Sequence, residues 1–141
     1  MKMADGGVRP AFNGQFATDT AAQIIVGVDV TNVGSDRAQL RPMTEHRQQR
    51  YDQAPAEMLV DGGFVNHDDI VALARPEVGC TVYAPVSAPR DGKRDPYEPC
   101  SGDPEAIAQW RQRMGTEAAQ AIYKERAATS ECVNAIARTR G

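Results

Sequence analysis

One run without a glycine or proline, residues 116–138 (TEAAQAIYKERAATSECVNAIAR), constrains this chain more than any other stretch. It is rich in alanine and straight-chain residues, which lose little side-chain freedom in a helix. Gly115 breaks the chain just before it, and Thr116 is placed to cap its first turn. At 3.6 residues per turn, Ala118, Ile122, Val133 and Ile136 fall on one stripe, the side expected to face a core. Glu131 and Arg138 are seven residues apart and so roughly 20° apart around the axis. Tyr123 and Arg126 lie on a neighbouring part of the polar side, within an arc of about 140°. The expectation is one long helix with an apolar stripe toward the core and a Tyr, Arg, Glu, Arg set elsewhere.

The 115 residues before it must supply what that helix packs on. The chain is 141 residues long, enough for one domain with a real core. The sequence shows no apolar run of membrane-spanning length and no secretory signal. Cys80, Cys100 and Cys132 are odd in number and far apart, which points to reduced thiols in a cytosolic setting and away from a disulfide frame or a zinc site. The net charge of −3 argues against a dedicated DNA-binding module. Its distribution is uneven: residues 1–110 carry 10 Lys+Arg against 16 Asp+Glu, and residues 111–141 carry 6 against 3. The basic part is the long helix and its approach, which permits a polyanionic partner there.

Upstream, residues 4–14 contain Gly6, Gly7, Pro10 and Gly14 and read as a loop. Residues 13–20 and the β-branched run 23–31 read as two strands joined tightly through residues 19–22, an antiparallel hairpin. Residues 36–50 read as a helix capped by Ser35, with Leu40 and Met43 buried; Pro42, well inside, predicts a kink or a later start. Residues 57–60 suit a strand buried on both faces, ending at Asp61 before Gly62 and Gly63. An acid at a buried strand end before a glycine turn is a common place for a catalytic carboxylate in α/β folds. Asn66 then caps a helix to about Arg75, stopped by Pro76. Residues 79–85 form a further strand. A proline-rich insert at about 85–104, with five prolines among polar residues, reads as an exposed loop. A helix from Pro104 to Arg113 carries Trp110, expected in the core. This order gives an α/β chain with a mixed sheet flanked by helices.

The polar set on the last helix carries a resemblance. Tyr123-x2-Arg126-x4-Glu131-x6-Arg138 resembles the Tyr/Arg/Glu/Lys signature of DDE-type transposases from bacterial insertion sequences, with Arg138 where the family usually has Lys. The segment from Leu59 to Phe64 resembles that family's second motif, usually Ala-Asp-x-Gly-Tyr/Phe. Asn13-x-Gln15 with Asp19 resembles the strand motif after the first catalytic region. Asn32-x3-Asp36-x3-Leu40 resembles the turn and helix start between the family's strands. The resemblance covers most of the chain.

That resemblance implies an RNase H-like fold and two-metal phosphoryl transfer on DNA, in which two Mg²⁺ (or Mn²⁺) ions hold the attacking and leaving oxygens. It would make Asp61 and Glu131 the catalytic, metal-holding pair, and Tyr123, Arg126 and Arg138 the DNA-binding set, with phosphate held by the arginines. The implied partners are transposon-end DNA and a second copy or an intact transposase, in a bacterial cytoplasm near the nucleoid, with no membrane. One departure stands out. The family's first catalytic Asp lies on a central strand upstream of the Asn-x-Gln segment, and here only 12 Gly-rich residues precede Asn13, with Asp5 a poor substitute. The expectation is therefore the C-terminal part of a transposase catalytic domain, truncated at its first strand and inactive alone. Two alternatives stand beside it. One is a non-catalytic remnant or regulator that binds DNA or an intact transposase. The other is a small α/β domain that binds phosphate or metal at Asp61 without any need for Glu131.

Overall fold

The computed structural model describes residues 6–8, 10–90 and 92–139, the side chains of 134 and 136–138 excepted. Asp5 lies outside the described residues. The chain opens with a hairpin of β1 (Asn13–Asp19) and β2 (Ile24–Thr31), antiparallel as expected. Its four-residue turn is closed by Asp19, whose carbonyl accepts from the Gln23 N–H at 2.8 Å and whose side chain accepts from Ala22 at 2.7 Å. The register shifts between Ala17 and Thr18, a bulge that no residue type in the sequence signals.

Helix α1 (Leu40–Tyr51) starts four residues later than residue 36. Pro42 explains the late start: it stands in the first turn, where its missing N–H has no intrahelical partner to lose. Ser35 does not cap this helix; its hydroxyl accepts from the Arg37 N–H in the preceding loop. Leu40 and Met43 are buried, and α1 lies on the hairpin where Gly27 leaves room for the Met43 sulfur. A β-carbon at Gly27 would stand 3.3 Å from that sulfur.

The next unit is strand β3 (Glu57–Leu59), a 3-10 turn at Gly62–Phe64, helix α2 (His67–Leu73) and strand β4 (Thr81–Tyr83). β3 and β4 are parallel, the arrangement a helical crossover allows. Asn66 caps α2 by accepting from the Asp68 N–H at 3.0 Å. Asp69, in the first turn of α2, is buried, and burial raises its carboxyl above the usual range. β3 is half-buried rather than covered on both faces. Burial pushes the Cys80 thiol just before β4 up to about 11, so it stays protonated and packs as an apolar group.

Helices α3 (Glu105–Met114) and α4 (Glu117–Thr139) close the molecule. Trp110 is 1% exposed and donates its indole N–H to the Ala84 carbonyl at 3.2 Å, which ties α3 to the end of β4. Leu40, Ile70, Leu73, Val82, Ile107 and Met114 pack around it in one cluster. Thr116 accepts from the Ala119 N–H at 3.2 Å and caps α4 as the sequence suggested. Val133 is buried and Ile122 packs against the core as expected, but at the first turn Ala119 is buried and Ala118 exposed, and the side chain of Ile136 lies outside the described residues.

Two expectations need correction. The single mixed sheet is instead two two-stranded sheets, β1–β2 and β3–β4, with no ladder joining them among the described residues. The insert at 85–104 is a loop, but an anchored one. Arg111 on α3 reaches back to Asp103 at 2.8 Å and to the Pro96 carbonyl at 3.3 Å, and Tyr97 covers Gly115. A β-carbon at Gly115 would stand 2.9 Å from the Tyr97 β-carbon.

Gly115→Ala is therefore expected to lose about 1–3 kcal/mol in urea denaturation, the range for overpacking a tight contact. The N–H of Cys100 and the Arg111 guanidinium hold the Asp103 carboxyl below its ordinary range. Its stabilising effect is thus full above about pH 4 and disappears as the pH falls through the lowered value. Asp103→Asn should flatten the acid limb of the stability–pH curve below pH 4 and lower stability at neutral pH.

Candidate functional site

A cavity of about 420 Å³ lies between the two small sheets. Its lining is unusual for a pocket on a sheet. Every residue from 13 to 20 and every residue from 57 to 61 borders it. Side chains alternate across a strand, so a pocket against a sheet face meets every second residue. Consecutive residues mean that the cavity meets the strands edge-on. It is a slot between β1 and β3, closed on one side by Leu40 and Met43 of α1 and on the other by Thr129, Ser130 and Val133 of α4.

Polar groups gather where β3 ends. Asp61 caps the 3-10 turn, its Oδ1 accepting from the Gly63 N–H at 2.9 Å. Its Oδ2 is 3.9 Å from Nη1 of Arg126 on α4. Asp36, from the loop before α1, accepts at Oδ1 from Asn13 Nδ2 at 2.6 Å and from Gln15 Nε2 at 3.2 Å. Asn13 and Gln15 share a face of β1 because they are two residues apart. A β-carbon at Gly63 would stand 3.1 Å from Asp61 Oδ1 and 3.5 Å from Asp36 Oδ2, so both carboxylates flank the same backbone position. The glycine there keeps a side chain from coming between them.

Of the residues singled out in the sequence, the fold brings together Asp61 and Arg126. The Arg126 guanidinium also stacks 5.5 Å from the Tyr123 ring centre, and Tyr123 is half-buried against the core, so its ring supports the arginine. Glu131 is not part of this group. It is exposed and does not border the slot, whereas Thr129, Ser130 and Val133 do. Glu131 lies five residues past Arg126, about 140° around the helix axis. A helix that points Arg126 at Asp61 points Glu131 away. The side chain of Arg138 lies outside the described residues.

Asp36 is the residue that sequence reasoning left out of the site. A signal existed in Asn13-x-Gln15, two amides on one strand face that need a shared acceptor. Nothing in the sequence said which acid would reach them.

The donor set here does not form a three-carboxylate cradle for two ions. Asp61 is bonded to Gly63 and faced by Arg126, Asp36 is bonded by two amides, and Glu131 lies on another face. Among the described residues no three His, Cys, Asp or Glu side chains converge as ion ligands. No helix among them is long and apolar enough to cross a membrane. No family model matches the sequence, and neither a curated protein nor a solved structure is significantly similar to it.

Asp36→Ala should cost about 1–3 kcal/mol, because it strips the buried Gln15 amide and Asn13 of their acceptor. The same variant should loosen β1 against the turn at Gly62–Phe64, read as faster amide exchange at Gly63. Unchanged stability and exchange would refute the bridging role of Asp36.

Proposed function

We propose that this chain is a DDE-transposase-type, RNase H-like domain that acts on DNA and, as a single polypeptide, holds DNA without cutting it. The observation that carries this reading is the pairing of Asp61, at the end of β3, with Arg126 on α4. A carboxylate at a strand tip beside an arginine on the facing helix puts a guanidinium where a DNA phosphate could be held. The motif residues around Asp61, Asn13-x-Gln15 and Asp36 gather at that same end.

The alternative form, a non-catalytic regulator that binds DNA or an intact transposase, draws support from the exposed position of Glu131 and from the Arg126 contact that offsets the Asp61 charge. In both forms Arg126 meets the backbone phosphate, and Tyr123 keeps its guanidinium flat and in place. Mg²⁺ or Mn²⁺ would belong to the completed enzyme. Transposon-end DNA is the proposed partner, with a second copy or an intact transposase beside it.

Incubation of the full chain with terminal-repeat DNA and Mg²⁺ or Mn²⁺ tests this reading. Salt-dependent binding without nicking is expected. Arg126→Ala should weaken binding evenly across DNA sequences and reduce the slope of log affinity against log salt by about one. Robust cleavage that disappears in Asp61→Ala would overturn the non-cutting assignment, and an absence of salt-dependent binding would overturn the DNA assignment.

A further inference from the structure

We infer that Arg47 and Arg50 of α1, both set against the ring of Tyr51, form a second phosphate seat, one that takes a backbone phosphate of a nucleic acid. This goes beyond the Asp61–Arg126 reading and needs none of its residues.

The end of α1 builds the seat. Its last five residues are Arg47, Gln48, Gln49, Arg50 and Tyr51. Residues three and four apart share a side of a helix, so Arg47 neighbours both Arg50 and Tyr51. The Arg47 guanidinium lies 5.7 Å from the centre of the Tyr51 ring, and that of Arg50 lies 5.8 Å from it. The ring is itself tied down, because its hydroxyl donates to the Val26 carbonyl on β2 at 3.1 Å. Two cations are thus gathered on one fixed aromatic ring, which attracts both through its π-electrons. That attraction consumes no N–H, and each guanidinium keeps its donors for an anion.

No acid answers this charge. Arg41 pairs with Glu45, Arg111 with Asp103 and Arg126 with Asp61. Arg47 and Arg50 have neither an ion pair nor a hydrogen bond among the described residues. Asp29 on β2 is taken up by the Val30 N–H at 2.8 Å and by His46 at 3.5 Å. The negative end of the helix favours both arginines there, but supplies only about half of one counter-charge. The Nε of Arg47 is moreover buried without an acceptor. A buried donor on a charged group is costly to leave unmet, and an anion provides what is missing.

The space beside the arginines identifies the anion. A hollow of about 50 Å³ lies between residues 26–28 of β2 and His46, Arg47 and Arg50 of α1. Small-molecule sites measure roughly 300–1,000 Å³, so this one holds a single ionic group of a larger molecule. A carboxylate has two oxygens and fills one guanidinium fork; two forks beside one hollow fit the tetrahedral oxygens of a phosphate. His46 and Arg50 are exposed, so the hollow is open to a long polymer. A polymer that presents phosphates in series is a nucleic acid, and a contact of this kind positions it without reading its sequence.

The test titrates the full chain with a short DNA duplex of arbitrary sequence and follows the arginine Nε–H and tyrosine ring signals by NMR. The signals of Arg47, Arg50 and Tyr51 should shift together, and should still do so in Arg126→Ala. Arg50→Gln should weaken binding about tenfold and reduce the slope of log affinity against log salt by about one, with an unchanged circular dichroism spectrum. Arg50→Lys, which keeps the charge and loses the fork, should recover only part of the affinity. Arg75→Gln, at an exposed arginine just past α2, should leave binding nearly unchanged. No shift at Arg47 and Arg50 would overturn the assignment, and shifts at Arg126 in the same titration would leave the Asp61–Arg126 reading standing. Shifts at Arg47 and Arg50 with none at Arg126 would do the reverse. Shifts produced by inorganic phosphate and not by the duplex would make this a small-anion site, and shifts produced as strongly by oligoglutamate would make it an acidic-peptide surface; either result overturns the nucleic-acid assignment.

Discussion

Two pairs of strands, with no ladder hydrogen bond between them among the described residues, are held side by side by side chains, and the rest of the molecule depends on that bridge. Asp36 is its centre. It binds two amides of β1 and stands against Gly63, just past the end of β3. Around it, Leu40 and Met43 of α1 and Val133 of α4 close the space from both sides. Backbone ladders normally lock neighbouring strands in register. Here register across the gap rests on a few polar contacts and on two helices that touch both halves.

The halves differ in how well they are covered. β3, β4, α2, α3 and the first turns of α4 share a close-packed cluster with Trp110 at its middle, and the anchored loop 85–104 seals its rim. The hairpin is less protected. Phe16, Ile24, Val28 and Val30 leave a broad apolar surface exposed, more than single scattered hydrophobics would account for. α1 and part of α4 pack on it. The slot thus lies between a well-ordered half and a half that gains most from further burial.

The candidate site divides in the same way. Asp61 was legible in the sequence because a short apolar run followed by Asp-Gly-Gly has few other uses. Arg126 was legible as part of a spaced set on a helix. Their contact was not, because it depends on how α4 is set against the end of β3, which involves residues far apart in the chain. Glu131 is exposed on the polar side of the same helix. Asp36 was quoted in a motif but had no assigned role, because its partners on β1 come near only after the hairpin folds over the loop.

Local chemistry was enough to set the elements themselves. β-branched runs made the hairpin, Asn66 and Thr116 capped their helices, and Pro42 delayed α1, since each effect acts within a few residues. The sequence alone also placed Trp110 in the core, because a large apolar ring on a short helix has nowhere else to go. What only the tertiary structure decided was how strands met and which helix face turned inward. Those depend on contacts between residues far apart in the chain, where small shifts in burial outweigh any local preference. The two sheets, the slot between them and the Asp61–Arg126 pair all belong to that second class.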